Sequence, residues 1–420
     1  MELGHISTVL LETRIRELLR ETSGFTLQAN PIGIDCLDAA VKFFCQRQKQ
    51  SFDPNWVTVL QGVDSAGSST TSSMIATVAE HIGREWRRRG TIRISGRQGL
   101  VTQLVESRCF EEAALTIHHN LACQVIFTVI GWISMLYSPI VSPKDASTLV
   151  IERDGPTSID TTVQPVMNCQ KSFLDILGTF GTILPRNGPM KEQNPKETGV
   201  LLMPKTFNAM ILRQLGVTIN WVTSMSAHLD FDSKRLKLSL FCLPSFCEIH
   251  QGGGTIYEQF FQSFHNPSTR PPQFSVSQMM QEILLSYRLL FQGNKHSRKL
   301  FRKSERARSR SVLPHGCVED PLLLYLCGMG GPRGSKIPQV PVSVYSLDAD
   351  FPVFSSRFSA IQAVILRHKP LGLWSVWNDK REFDSLYTFR ALLIFGTLGV
   401  LLQILQTVLQ AVQTYYTIKG

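Results

Sequence analysis

ALLIFGTLGVLLQILQTVLQAVQTYYTI, running from Ala391 to Ile418, is 28 residues long and carries no charged side chain. At a rise of about 1.5 Å per residue, roughly 20 apolar residues span the hydrocarbon core of a bilayer. This stretch is therefore long enough to cross one. Trp374, Trp377, Tyr387 and Phe389 precede it, and Tyr415 and Tyr416 stand near its end, where an aromatic belt places such rings. With Lys419 and Gly420 following, the reading is a tail-anchored, single-pass protein with a transmembrane helix over 387–418 and a body facing the cytosol.

The stretch is also patterned. Gly396, Gly399, Gln403, Gln406, Gln410 and Gln413 are spaced by three or four residues, so they fall within about 100° of one another on a helix. Leucines, isoleucines and valines cover the rest. Small and amide residues on one face predict a seam for association, with a second copy or with another membrane helix. A soluble amphipathic helix docked on the body is the alternative. The polar face carries no charge, which argues against it.

Upstream, the composition is that of a folded protein: 43% apolar and 18% charged in 420 residues. A formal charge of +10 makes an anionic surface a natural neighbour, whether lipid headgroups or nucleic acid. Nine cysteines without regular spacing, and an N-terminus charged from Glu2 onward, predict reduced thiols in a cytosolic body. Cys242, Cys247 and His250 lack the second pair of ligands a zinc site needs, so neither metal nor cofactor is expected.

The predicted fold class is a helix-rich α+β body with one C-terminal membrane helix. Its divisions are a mostly helical region over 1–141, a loop-rich insertion over 142–204 and a helix–hairpin–helix region over 205–294. A basic linker over 295–315 and an α/β part over 316–386 follow. Within these, Trp56–Leu60, Leu322–Leu326 and Val340–Tyr345 are expected as strands, and Thr206–Ala227 as a helix. The uncharged run Leu121–Val141 is long enough for a second span, but Gln124, Gly131, Ser134 and Ser138 favour a buried helix of the body. Alternation across His228–Phe231 and Leu236–Leu240 predicts a hairpin, with His228, Asp230 and Asp232 on its wet face.

Three features invite a function. Gly62-x4-Gly67-Ser68-Ser69 has the spacing of a phosphate loop without its lysine. In the same place Val63-Asp64-Ser65-Ala66-Gly67 is like a serine-hydrolase elbow lacking its first glycine, which makes Ser65 the candidate nucleophile. A Ser/Thr-rich loop capping a helix explains both. Arg84, Arg87, Arg88, Arg89, Arg93 and Arg97, with Trp86 among them, suit either nucleic acid or the negative end of a helix. Finally, Lys295, Arg298, Lys299, Arg302, Lys303, Arg306, Arg308 and Arg310 face only Glu305 in sixteen residues. That segment suits a solvated linker, an anionic lipid surface or a nuclear address.

Leu284 to Phe291 (LLSYRLLF), Ser297 to Arg302 (SRKLFR), Phe351 to Phe354 (FPVF) and Trp377-x-Asp379-x-Arg381 with Tyr387-Thr388-Phe389 resemble a family of uncharacterised filamentous-fungal proteins. Those proteins have a variable body and a closing hydrophobic helix. The resemblance covers the second half of the chain well and the first half poorly. Where the family has Trp after Tyr-Thr-Phe this chain has Arg390, which can snorkel to the interface. The resemblance implies the architecture and no catalytic residue, so a membrane-tethered interaction protein is the expected function.

Overall fold

The computed structural model describes residues 2–23, 31–50, 53–60, 68–89, 92–141, 145–152, 161–180, 201–251, 276–310, 320–328, 342–367 and 383–419. Helices open the chain: α1 (Glu2–Ser23), α2 (Pro31–Gln50), α3 (Ser68–Arg89), α4 (Leu100–Glu106) and α5 (His119–Ser134). Leu11, Ile15, Leu18 and Leu19 recur at helical spacing and are buried, so α1 lies against both α2 and α3. Arg14 fastens it there with two 2.8 Å bonds to the Glu80 carboxylate and further bonds to Ser73 and Thr77.

Helix α5 is the middle of this region, and every residue from Ala122 to Ser134 is buried. The uncharged run is thus a core helix of the body. It closes at Met135, whose left-handed backbone (φ 49°) turns its N–H back to the Gly131 carbonyl. A Cβ on Gly131 would sit 2.8 Å from both Pro139 and Tyr137. Only glycine lets the chain return so close to the helix it has just left.

Three small sheets follow. Strands β1 (Ser138–Pro139), β2 (Thr148–Glu152) and β3 (Thr161–Pro165) form an antiparallel meander. After α6 (Phe173–Thr179), β4 (Leu201–Leu202) and α7 (Ala209–Gln214) come β5 (Thr218–Val222), β6 (Phe231–Asp232) and β7 (Lys237–Phe241). These last three lie in the order β5-β7-β6, with β5 parallel and β6 antiparallel to β7. Helices α8 (Pro244–Ile249), α9 (Val276–Tyr287), α10 (Lys295–Arg310) and α11 (Pro321–Leu326) come next. The body ends with β8 (Tyr345–Ser346), which pairs with β4, then α12 (Leu347–Asp350) and α13 (Ser355–Arg367). Its buried apolar residues, from Leu11 to Ile365, form one cluster. Helix α14 (Phe383–Lys419) closes the chain.

Several expected elements come out differently, each for a local reason. Asp53-Pro54 starts a 3-10 turn over Pro54–Thr58, capped by the Asp53 carboxylate, where a strand was expected from Trp56. Asp320-Pro321 does the same for α11, where a strand was expected over Leu322–Leu326; an Asp N-cap followed by Pro is a helix start. The helix expected over Thr206–Ala227 stops at Gln214, because Gly216 takes a left-handed φ of 85°. The β-branched run Val217-Thr218-Ile219 then enters the sheet. Of Val340–Tyr345, only Tyr345 lies in a strand among the described residues. His228 is not on a wet face. It is fully buried, bonded through Nε2 to Ser286 and accepting the Phe241 N–H at Nδ1, and burial pushes its pKa well below the usual value.

Buried polar groups lock these pieces. The Asp320 carboxylate accepts bonds from the Leu322 and Leu323 amides and from the Ser245 amide and hydroxyl, joining α11 to α8. Glu282 of α9 accepts the Val353 and Phe354 amides at the start of α13. Burial outweighs those bonds and pushes the Glu282 pKa up to about 7.

Two measurements check these locks. Asp320→Ala removes a cap and leaves two buried donors unpaired, so it should cost about 3 kcal/mol or more, read as a lowered unfolding midpoint in detergent. For Glu282, whose usual pKa is 4.5, the native state keeps a proton that the unfolded chain has lost between that value and about 7. Stability should therefore fall as pH rises through that window. Glu282→Gln should flatten this part of the profile, and an unchanged slope would refute the assignment.

Candidate functional site

Helix α14 is 37 residues long. Its segment Ala391–Ile418 has a mean hydropathy of 2.1, and none of it is buried against the body. The alternative of a soluble helix docked on the body is therefore not what the structure shows. Among the described residues this is one helix long and apolar enough to cross a membrane.

Its polar side chains divide into two kinds. Thr397, Thr407, Thr414 and Thr417 each donate a hydroxyl bond back to a carbonyl of the preceding turn, at 2.8 to 2.9 Å. Those hydroxyls are satisfied without leaving the helix. The amides of Gln403, Gln406, Gln410 and Gln413 make no hydrogen bond to any described residue. In hydrocarbon an unpaired amide costs several kcal/mol, so these four groups have most to gain from a neighbour. Gly396 and Gly399 continue the same face with open space above both. Positions 414 and 417 share that arc at about 100° per residue and 407 lies about 20° beyond its edge, an extension that the Gly/Gln repeat alone does not reveal.

The basic segment is helix α10 over Lys295–Arg310 rather than a linker. Asn294 starts it by accepting the His296 and Ser297 amides. Ser297 is fully buried and donates to Asn208 Oδ1 at 3.0 Å, while its oxygen accepts the Met210 amide. Phe301 is equally buried and packs edge-on against Trp221 and against Phe291. One side of α10 is thus fixed in the body.

The cations sort accordingly. Lys295, Lys299, Arg302 and Lys303 are exposed, and positions 306 and 310 continue their side of the helix, all within about 100° of arc. Position 308 falls on the opposite side. Arg298 is half-buried: it donates to the Gln292 carbonyl and lies so close to Gly328 that a Cβ there would collide with it. Arg298 is therefore a structural cation, and it leaves the group expected to meet an anionic surface.

The other candidates yield less. Ser65 and the rest of 61–67 lie outside the described residues; α3 begins at Ser68. Arg87 and Arg88, at the C-terminal end of α3, are ion-paired at the surface with Glu21 and Glu85 at 2.5 and 3.0 Å, so part of the first arginine cluster has acidic partners within the chain. Cys247 has Met225 as its sulfur neighbour and the His250 ring is bonded to the Phe246 carbonyl. Among the described residues no group of His, Cys, Asp or Glu could hold a metal ion. A cavity of about 450 Å³ lies between β5 and α10, lined by Trp221, Phe291, Leu300 and Phe301 with Arg213 at its edge. No catalytic pair of side chains lines it.

No protein-family model, no curated protein and no solved structure matches this chain.

The division of the cations is directly testable. Changing Lys299, Arg302 and Lys303 together to Gln should weaken binding to acidic liposomes by about 3 kcal/mol, at ~1 kcal/mol per cation. Arg298→Gln should leave that binding unchanged and lower the unfolding temperature instead. The reverse pattern, read by liposome flotation and thermal unfolding, would overturn the sorting.

Proposed function

We propose that this is a single-pass membrane protein whose body is held at the cytosolic face as an interaction module without catalysis of its own. The observation that carries the reading is the 28-residue apolar segment of α14, none of which is buried against the body. Lys380, Arg381 and Arg390 precede the span and Lys419 follows it, a bias that favours a cytosolic body. The exposed cations of α10 then lie within reach of acidic headgroups, where each contributes ~1 kcal/mol and salt screens beyond about 8 Å. The resemblance to the fungal family with a closing hydrophobic helix belongs with this reading and assigns no reaction.

The Gly/Gln face is the second part of the proposal. Lipid gives helices no hydrophobic reason to associate, so close packing and amide bonds must supply it. Each interhelical polar contact contributes about 0.6 kcal/mol, up to roughly 2. Four glutamines on one face are enough for a dimer, and self-association is the favoured arrangement.

Three outcomes test this. The chain should stay with membranes through alkaline extraction, and deleting 387–420 should release it. A glycosylation acceptor appended after Gly420 should be modified, whereas modification of one placed in the body would reverse the orientation. Changing Gln403, Gln406, Gln410 and Gln413 to Leu should preserve insertion and weaken association in a two-hybrid assay for membrane helices. Unchanged association would show that the glutamine face is passive.

A further inference from the structure

A cleft of about 450 Å³ opens where β5, α10 and the π turn Arg288–Gln292 meet. Strand β5 contributes Ile219 and Trp221, α10 contributes Leu300 and Phe301, and the π turn contributes Phe291. Phe291 and Phe301 are fully buried, whereas Ile219, Trp221 and Leu300 are half-buried, so the apolar surface left open in the cleft is theirs. The rings form one packed wall. Trp221 stacks on Phe291 at 6.3 Å and meets Phe301 edge-on at 6.0 Å, with 5.4 Å between the two phenylalanines. A π turn is rare and is found frequently at functional sites.

The mouth is polar and positive. Of the described residues that line it none is acidic, and Arg213, exposed at the end of α7, is the charged one. The Thr218 and Ser304 hydroxyls already donate to the Leu236 and Phe301 carbonyls, at 3.4 and 3.0 Å. The Arg213 guanidinium makes no ion pair with a described residue, so it is the donor still available. Position 308, which falls away from the outward cation face, follows Ser304 by about one helical turn and so stands on the cleft side of α10.

We propose that the cleft binds a long-chain carboxylate, with its hydrocarbon chain against Ile219, Trp221 and Leu300 and its head group on Arg213. The volume falls in the range of about 300–1,000 Å³ typical of sites that enclose one small molecule, which suits a single chain. The arginine fork matches a carboxylate with two parallel hydrogen bonds. A cationic amphiphile does not fit: a choline-type head needs open ring faces around it, and these rings are packed on one another beside a cation. Lys299, Arg302 and Lys303, which point outward, take no part, so the cleft is separate from the surface proposed to meet lipid headgroups.

The test places the full chain in nanodiscs of phosphatidylcholine at pH 8 and adds a 16-carbon fatty acid with a diazirine on its chain, or the methyl ester of the same probe. After irradiation and digestion, mass spectrometry locates the label. Both probes should mark α14, which serves as the reference for how much of each enters the bilayer. Hydrocarbon is equally at home in lipid, so the head group decides whether the chain leaves it for the cleft. Relative to α14, the acid should mark the β5 and α10 peptides about tenfold more than the ester does. Arg213→Gln should remove that preference, and Leu300→Trp, which fills the cleft, should remove the β5 and α10 label while the α14 label stays. Label on α14 alone, as expected if another part of this chain or a second copy closes the cleft, would overturn the proposal. Equal marking of the cleft by acid and ester would overturn it as well. The ratio of acid to ester in the wild-type chain decides even where a variant fails to fold.

Discussion

The removal of Ala122–Ser134 from water is the interaction on which the rest of the body depends. Helix α2, helices α3 and α4, strands β1 and β2 and three 3-10 turns all pack on that one helix. Its side chains are apolar on nearly every face, so no orientation leaves it stable at a surface. Of its few polar members, Gln124 is satisfied by donating to the Ala146 and Thr148 carbonyls at 3.0 and 2.8 Å. At 16 residues the helix is shorter than the roughly 20 a bilayer requires. Wrapping it in protein is the solution available.

The same requirement, that a polar group leaving water must find a partner, accounts for the joints between elements. Asp320 joins α8 to α11, Glu282 joins α9 to α13, and Ser297 with Asn208 joins α10 to α7. Each uses a helix start, where unpaired amides are plentiful. In α14 the threonines meet the requirement within their own helix, whereas the glutamines do not. That difference is what makes one face of the helix a candidate for contact and the rest plain hydrocarbon.

The basic helix shows how one element serves both ends. Its inner side, with Ser297, Phe301 and the half-buried Arg298, fixes its place on the body, and its outer side carries exposed cations. A flexible tether would place the same charges at no defined angle. A docked helix presents them as a surface, which is what attraction to a charged plane uses.

The residues by themselves determined the membrane-length helix, the burial of the uncharged run around α5, and the hairpin of β6 and β7, because length and periodicity are local properties. Local chemistry also carried the starts of the Asp53 and Asp320 turns, although strand-like apolar runs hid them: Asp-Pro was the signal present in each. The sequence held no comparable sign that Arg298 is a structural cation, since that depends on Gly328 and Gln292 approaching it. Nor did it show that His228 lies in the core, which Ser286 decides from across the body. Nine unevenly spaced cysteines suggested only reduced thiols. Bringing Ser95 and the Cys169 backbone beside His119 and Cys123 required two chain segments to pack on one helix, and only the tertiary structure decides a contact between residues so far apart along the chain.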